Sequence, residues 1–209
     1  MMYILGLTGG MASGKSTVAG FLKALGAVIV DADKIVHQLQ QSGTTETLKI
    51  AAQLGAHVLA EDGSLHRPAL AAEIQKNKAV LHFLEEVLHP AVRREEKTQL
   101  QAAFLAGAKV AVLDVPLLFE TDAHLLSDGV AVCHSPVDVR KGRAFSRLGM
   151  NEAKWSNLHA RRWEDAKMLA HADFVLDTHT SLKDTKQQVQ KLYAHLLTEP
   201  QTAWPANWL

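Results

Sequence analysis

The sequence predicts an α/β protein whose core is a parallel sheet of five short strands with helices on both faces. Three observations predict it. Five apolar runs are too short for core helices, and each ends at or near a glycine, a proline or an acidic residue. Helical patterns fill the intervals between the runs. A glycine-rich turn joins the first run to the first helix.

Each element follows in order. Residues 3–7 are an apolar run ending in glycines, which reads as a buried strand. Residues 16–25 have helical spacing and stop at Gly26, a helix-ending glycine. Residues 27–30 form the second strand, ending at Asp31, and residues 110–113 the third, ending at Asp114. Residues 130–133 form the fourth, ending near His134 and Pro136, and residues 174–176 the fifth, ending at Asp177. A last helix is expected over residues 182–197. Ligands of parallel sheets bind at the carboxyl ends of the strands, where Thr8, Asp31 and Asp114 fall.

Two intervals are longer than a simple crossover. Residues 33–107 read as a mostly helical insertion, broken at residues 61–63 and again at His89-Pro90. Residues 137–172 are helical and rich in arginine: Arg140, Arg143, Arg147, Arg161 and Arg162. The tail, residues 199–209, holds Trp204, Pro205 and Trp208 and is expected to pack by its aromatics.

Composition bounds the function. The chain has 209 residues, 47% of them hydrophobic, enough for one domain with a sizeable core. Lys+Arg and Asp+Glu are both 22, which argues against a general nucleic-acid binder. The single cysteine, Cys133, lies in an apolar run and is expected to be a buried small hydrophobe. The 11 histidines show no His-x-x-x-His spacing and there is no Cys-x-x-Cys, so no zinc site is expected. The N-terminal run is too short for a signal peptide and no stretch is long enough to span a membrane, so a cytoplasmic protein is expected.

Gly9-x-x-x-x-Gly14-Lys15-Ser16 matches the phosphate-loop pattern, between a strand and a helix as that pattern requires. Gly9, Gly10, Ala12, Ser13 and Gly14 would turn backbone N–H groups inward as an anion nest. The helix that follows, with Ser16 and Thr17, aims its positive end at the same phosphates. Lys15 would bring a point charge to the β/γ-phosphates, and the Ser16 hydroxyl would meet Mg²⁺. The fold class is therefore that of a P-loop NTPase.

A regulatory GTPase would also carry Asp-x-x-Gly and Asn-Lys-x-Asp. No Asp here has Gly three residues on, and Asn77-Lys78-Ala79-Val80 ends in Val. The long acidic strand of a motor ATPase is absent too. What the chain offers is a set of arginines after the fourth strand, with Arg143 and Arg147 at i,i+4 on one expected helical face. Such cations can neutralise a phosphoryl group in transfer.

Six motifs in order resemble the dephospho-CoA kinase family. They are residues 6–17 with the phosphate loop; Asp31-Ala32-Asp33 with His37; His89-Pro90 with Arg93; residues 114–120, Asp114-Val115-Pro116-Leu117-Leu118-Phe119-Glu120; Arg143-x-x-x-Arg147-x-Gly149; and residues 172–177. Together they run from Leu5 to about Thr178.

The resemblance implies ATP- and Mg²⁺-dependent phosphorylation of the ribose 3′-hydroxyl of dephospho-CoA. It implies a nucleotide-binding core (residues 1–35, 108–136 and 172–200), a helical CoA-binding insertion (36–107) and a lid (137–171) within one P-loop kinase domain. It also implies roles. Asp33 would be the base facing the ribose hydroxyl, and Arg143 the lid arginine meeting ATP phosphates, with Arg147 beside it. Thr8, Asp31, His89, Asp114, Leu117 and Glu120 would lie on the acceptor side. A monomer or weak homo-oligomer, without nucleic acid or membrane, is expected. The chain departs from the family's usual residues at Ala12 (Gly), Arg162 (Gln), Met168 (a basic residue, with Lys167 one place early) and Thr178 (Asn). An alanine is penalised at positive φ. Another nucleotide kinase with the same core, or a nucleotide-gated regulatory protein, are the rival readings. An alternative for Asp33 is that it caps a helix beginning near Lys34.

Overall fold

A computed structural model describes residues 1–160 and 162–208; Arg161 and Leu209 lie outside the described residues. Five strands, β1 (Tyr3–Gly9), β2 (Val28–Asp31), β3 (Val110–Asp114), β4 (Gly129–His134) and β5 (Phe174–Asp177), pair in parallel in the order β2-β3-β1-β4-β5. All seven residues of β1 and all five of β3 are buried, which is why these strands read as unbroken apolar runs.

Alternate residues of the strands reach one face. Leu5, Leu7, Val110, Val112, Ala131 and Leu176 pack there with Val18 and Leu22 of α1 (Lys15–Ala24) and Val189, Leu192 and Leu196 of α9 (Leu182–Leu196). Burying one such leucine is worth roughly 1.5–3 kcal/mol. Cys133 belongs to this cluster, and burial pushes its thiol up to about 12, so it is packing and not a nucleophile. Helix α1 ends as its sequence requires: Gly26 N–H donates to Lys23 O at 3.0 Å and Ala27 N–H to Leu22 O at 3.1 Å.

The chain divides into two compact units, Met1–Asp31 with Leu100–Leu209, and Ala32–Gln99. The first carries the sheet. The second contains α2 (Ala32–Leu39), α3 (Thr45–Leu54), α4 (Arg67–Lys76) and most of α5 (Ala79–Leu105). Its core is Ile50, Val58, Leu65, Leu70, Val80 and Leu84. Thr44 caps α3, its hydroxyl oxygen accepting from Thr47 N–H at 3.2 Å. The break at residues 61–63 is a turn in which Asp62 accepts from Ser64 N–H at 2.9 Å. Glu96 is 1% exposed and pairs with Arg93 at 2.8 Å. Burial raises its carboxyl, and the guanidinium offsets only part of that.

Two expectations need correction. Helix α5 continues without interruption through His89-Pro90. Proline removes one backbone donor, but buried Leu84, Ala91 and Val92 flank it, and helix packing over 27 residues outweighs one missing bond. The arginine-rich interval holds α6 (Val137–Phe145), α7 (Glu152–Ala160) and α8 (Asp165–Ala170). Since α6 ends at Phe145, Arg147 does not share a helix with Arg143.

The tail packs as expected. Asp128 accepts from the N–H groups of Ile4, Thr202 and Ala203 at 2.7, 2.6 and 2.7 Å, and the Trp208 indole donates to Leu126 O at 2.9 Å. Among the described residues, no helix is long and apolar enough to cross a membrane.

Candidate active site

Residues 10–14 connect β1 to α1 with little regular structure. Two of them adopt left-handed backbone: Gly14 at φ 83° and Ala12 at φ 59°. Gly14 is the residue before α1, and Thr17 and Val18 N–H donate to its carbonyl at 2.9 and 3.1 Å. Ala12 holds a conformation that costs an L-residue roughly 1–2 kcal/mol. Ser16 and Thr17 are exposed on the first turn of α1, with their hydroxyls at its positive end.

The strand ends converge by register. Leu7 pairs with Asp114 across β1 and β3, and Asp31 pairs with Asp114 across β2 and β3. Lys15 Nζ donates to the Asp114 carboxylate, a residue only 6% exposed. Thr8 Oγ1 donates to Pro116 O at 3.1 Å, so the residue after β1's apolar run anchors the turn after β3. Leu117 is half-buried in that turn, and its carbonyl accepts from Thr121 Oγ1 at 2.8 Å.

The arginine-rich interval closes on the same end of the sheet. A hollow of about 330 Å³ is lined by Ala12, Gly14 and Thr17 together with Arg143, Arg147, Thr178, Leu182 and Thr185. Arg143 is half-buried and donates to Thr178 O at 2.7 Å; Arg147 is exposed. The Thr178 hydroxyl in turn donates to Ser13 O and stands 2.8 Å from His134 O, tying the loop to the ends of β4 and β5. Thr178, a departure in sequence, thus has a definite place.

Three contributions were not read from sequence. Arg162 donates from Nη1 to Gly9 O at 2.6 Å and to Pro116 O at 2.8 Å, bridging the phosphate loop and the turn after β3. Trp163 N–H donates to Glu120 at 2.6 Å, and its ring stacks on Phe119 with centroids 4.9 Å apart. Lys167 stands 3.4 Å over that indole. Arg140 is buried rather than solvated, and pairs with Asp165. The run of arginines was the signal for Arg140 and Arg162, but Asp165 lies 25 positions from Arg140, and Gly9 and Pro116 lie 153 and 46 from Arg162.

In the second unit, Asp33 sits in the first turn of α2, which begins at Ala32. It is therefore inside the helix and not its cap, which removes the capping alternative. Its carboxylate is exposed and makes no hydrogen bond among the described residues. It lines a hollow of about 560 Å³ with Val36, Gln40, Arg67, Leu70, Ile74 and others. Asp33, Gln40 and Arg67 make that lining polar in part, and the rest of it is aliphatic. His89 is exposed on α5 and is not part of that lining.

The donor set suits Mg²⁺ held largely by phosphate oxygens. Among the described residues no group of three or more His, Cys, Asp or Glu could hold a metal. An exposed Ser16 hydroxyl and the Asp31 and Asp114 carboxylates at adjacent strand ends are hard oxygen donors, few in number, as a nucleotide-borne Mg²⁺ requires.

Comparison with known proteins follows the same line. The family model described as dephospho-CoA kinase matches residues 3–184. A dephospho-CoA kinase of Leifsonia xyli is 40% identical over 196 residues, covering 93% of this chain and 99% of the relative. A crystal structure from Thermus thermophilus superposes with a TM-score of 0.76 at 27% identity, covering 93% of this chain and 98% of the other. A dephospho-CoA kinase from Campylobacter jejuni shares the fold with a TM-score of 0.71 at 24% identity, over 94% and 98% of the two chains.

Proposed function

Because the chain belongs to the dephospho-CoA kinase family, we propose a division of labour among its own residues for that family's reaction. The reaction is ATP-dependent phosphorylation of dephospho-CoA at the ribose 3′-hydroxyl, the last step of coenzyme A synthesis, with Mg²⁺. The observation that carries the assignment is the hollow in which phosphate-loop residues and Arg143 and Arg147 meet.

Residues 9–14 present backbone N–H groups to the ATP phosphates, and Lys15, steadied by Asp114, sets its ammonium beside them. Arg143, and more weakly the exposed Arg147, neutralise charge that develops on the transferring phosphoryl group. Ser16 holds the metal, whose charge further offsets that of the phosphates. Asp33 accepts the proton of the ribose hydroxyl. Its support is that it is exposed, free of other hydrogen bonds among the described residues, and two residues beyond Asp31 at the end of β2.

Thr8, Asp31, Asp114, Leu117 and Glu120 line the acceptor side. Residues 36–107 bind the CoA moiety, with His89 toward the substrate, and residues 137–171 act as a lid on the nucleotide. The mixed polar and aliphatic lining around Asp33 and Arg67 supports a ligand with a charged end and an apolar arm. The enzyme works in the cytoplasm as a monomer or weak homo-oligomer, with neither nucleic acid nor membrane as partner.

Product identification tests the reading. Incubation with ATP-Mg²⁺ and dephospho-CoA, with adenosine and AMP as competing acceptors, is expected to yield one new phosphate, on the 3′-oxygen of dephospho-CoA. Hydrolysis without a phosphorylated acceptor contradicts it.

A further inference from the structure

Arg140 stands out among the cations of the first unit because it is 1% exposed. A buried arginine needs partners for all its donors. Nε donates to Ser135 O at 2.9 Å and one terminal nitrogen donates to Asp165. The other, Nη1, is buried and has no hydrogen-bond partner among the described residues. The buried hydroxyls of Ser13 in the phosphate loop and of Ser135 after β4 share that state.

Gly10 shows where the unpartnered nitrogen lies. Its φ is not positive, so its backbone admits any L-residue. Space is what forbids a side chain, since a Cβ there would stand 1.9 Å from Arg140 Nη1 and 2.6 Å from Cζ. The guanidinium therefore lies directly against the phosphate loop. It is held there by Ser135 and Asp165, so it cannot swing away without breaking both contacts.

We propose that Arg140 is a positioning residue of the ATP site, a buried cation that braces the Gly9–Gly14 loop at Gly10 in its phosphate-binding shape. Leaving a charged donor unmet in a protein interior costs free energy. A cation fixed beside a nest of backbone N–H groups also adds to the field that draws phosphate. The role differs from that of Arg143, which lines the nucleotide hollow; Arg140 does not. It rests on the loop binding ATP.

A double-mutant cycle on the full chain tests the pairing, with ATP dissociation constants read by calorimetry and melting temperatures recorded alongside. Arg140→Gln is expected to weaken ATP about tenfold, because it removes both the brace at Gly10 and the positive charge beside the loop. It should leave the KM for dephospho-CoA unchanged. Gly10→Ala should weaken ATP by at least as much, because Cβ and guanidinium compete for one space. The double variant should bind no worse than Arg140→Gln alone, since the shorter side chain removes the clash. Arg140→Lys should fall between wild type and Arg140→Gln. If Arg140→Gln proves too unstable to assay, Gly10→Ala and Arg140→Lys still decide the matter through ATP affinity. ATP affinity unchanged in Arg140→Gln or in Gly10→Ala, or losses that simply multiply in the double variant, would overturn the proposal. Failure of the unmodified protein to bind ATP would instead overturn the phosphate-loop reading on which it rests.

Discussion

Between Gly9 and Ser16 the chain prepares for phosphate with its backbone: two left-handed residues, a strand end and a helix start. Between Arg140 and Arg162 it prepares with side chains, and the arginines have different fates. Arg140 is buried against the loop, Arg143 half-buried at the hollow's edge, Arg147 exposed, and Arg162 committed to two backbone carbonyls. A backbone site is set by consecutive residues. A side-chain site is set by where each helix happens to pack. The two regions should therefore respond differently to substitution.

The largest effect is expected at Lys15, the loop side chain proposed to bring charge to the transferring group. Lys15→Ala should lower turnover by on the order of 10³-fold or more, while circular dichroism shows the fold intact. Next comes the arginine interval. Arg143→Ala should lower kcat by on the order of 10²–10³-fold and weaken ATP binding far less, because charge stabilisation acts in the transition state. Arg147→Ala, exposed in the structure, should cost roughly tenfold or less. Equal losses in the two variants, measured by steady-state kinetics, would erase the distinction between them.

Smaller effects sharpen the comparison from the backbone side. Arg162→Gln shortens the bridge between Gly9 O and Pro116 O, each a charge-assisted bond. It should lower stability by about 1–3 kcal/mol, a fall in Tm of several degrees for a chain of this size. Ala12→Gly should be smallest. Relief of the left-handed alanine, roughly 1–2 kcal/mol, opposes the greater unfolded-state freedom of glycine, about 0.4–1 kcal/mol. The net is a neutral or slightly raised Tm. A clear loss of stability would show that the Ala12 methyl packs in a way the strain does not offset.

The same contrast explains what could be read in advance. Every strand was legible as a short apolar run; β1 and β3 are so because they are buried on both faces, while the edge strand β5 keeps its apolar run although Val175 is exposed. The phosphate loop was legible because its chemistry lies in eight adjacent residues. The helix through Pro90 was not, since proline's local penalty is visible in sequence and the packing that outweighs it is not. The burial of Arg140 was not legible either. A helical arginine is solvated by default, and only the fold brings Ser135, Asp165 and Gly10 around it. Thr178 and Arg162 stood out as unusual residues, but their partners, Ser13 O, Gly9 O and Pro116 O, lie 165, 153 and 46 positions away.

The claim that side chains carry the chemistry while the loop backbone carries the phosphates meets its most direct test at Asp33. Asparagine keeps the size of the residue and, being exposed, should change Tm and ATP affinity little. It cannot take a proton from a ribose hydroxyl. The measurement is the rate of dephospho-CoA phosphorylation by Asp33→Asn at saturating ATP-Mg²⁺ and acceptor. A loss of at least about 10²-fold is predicted, within the range for removal of a general base. A rate near that of the unmodified enzyme would contradict the account and move the base to Asp31 or Asp114.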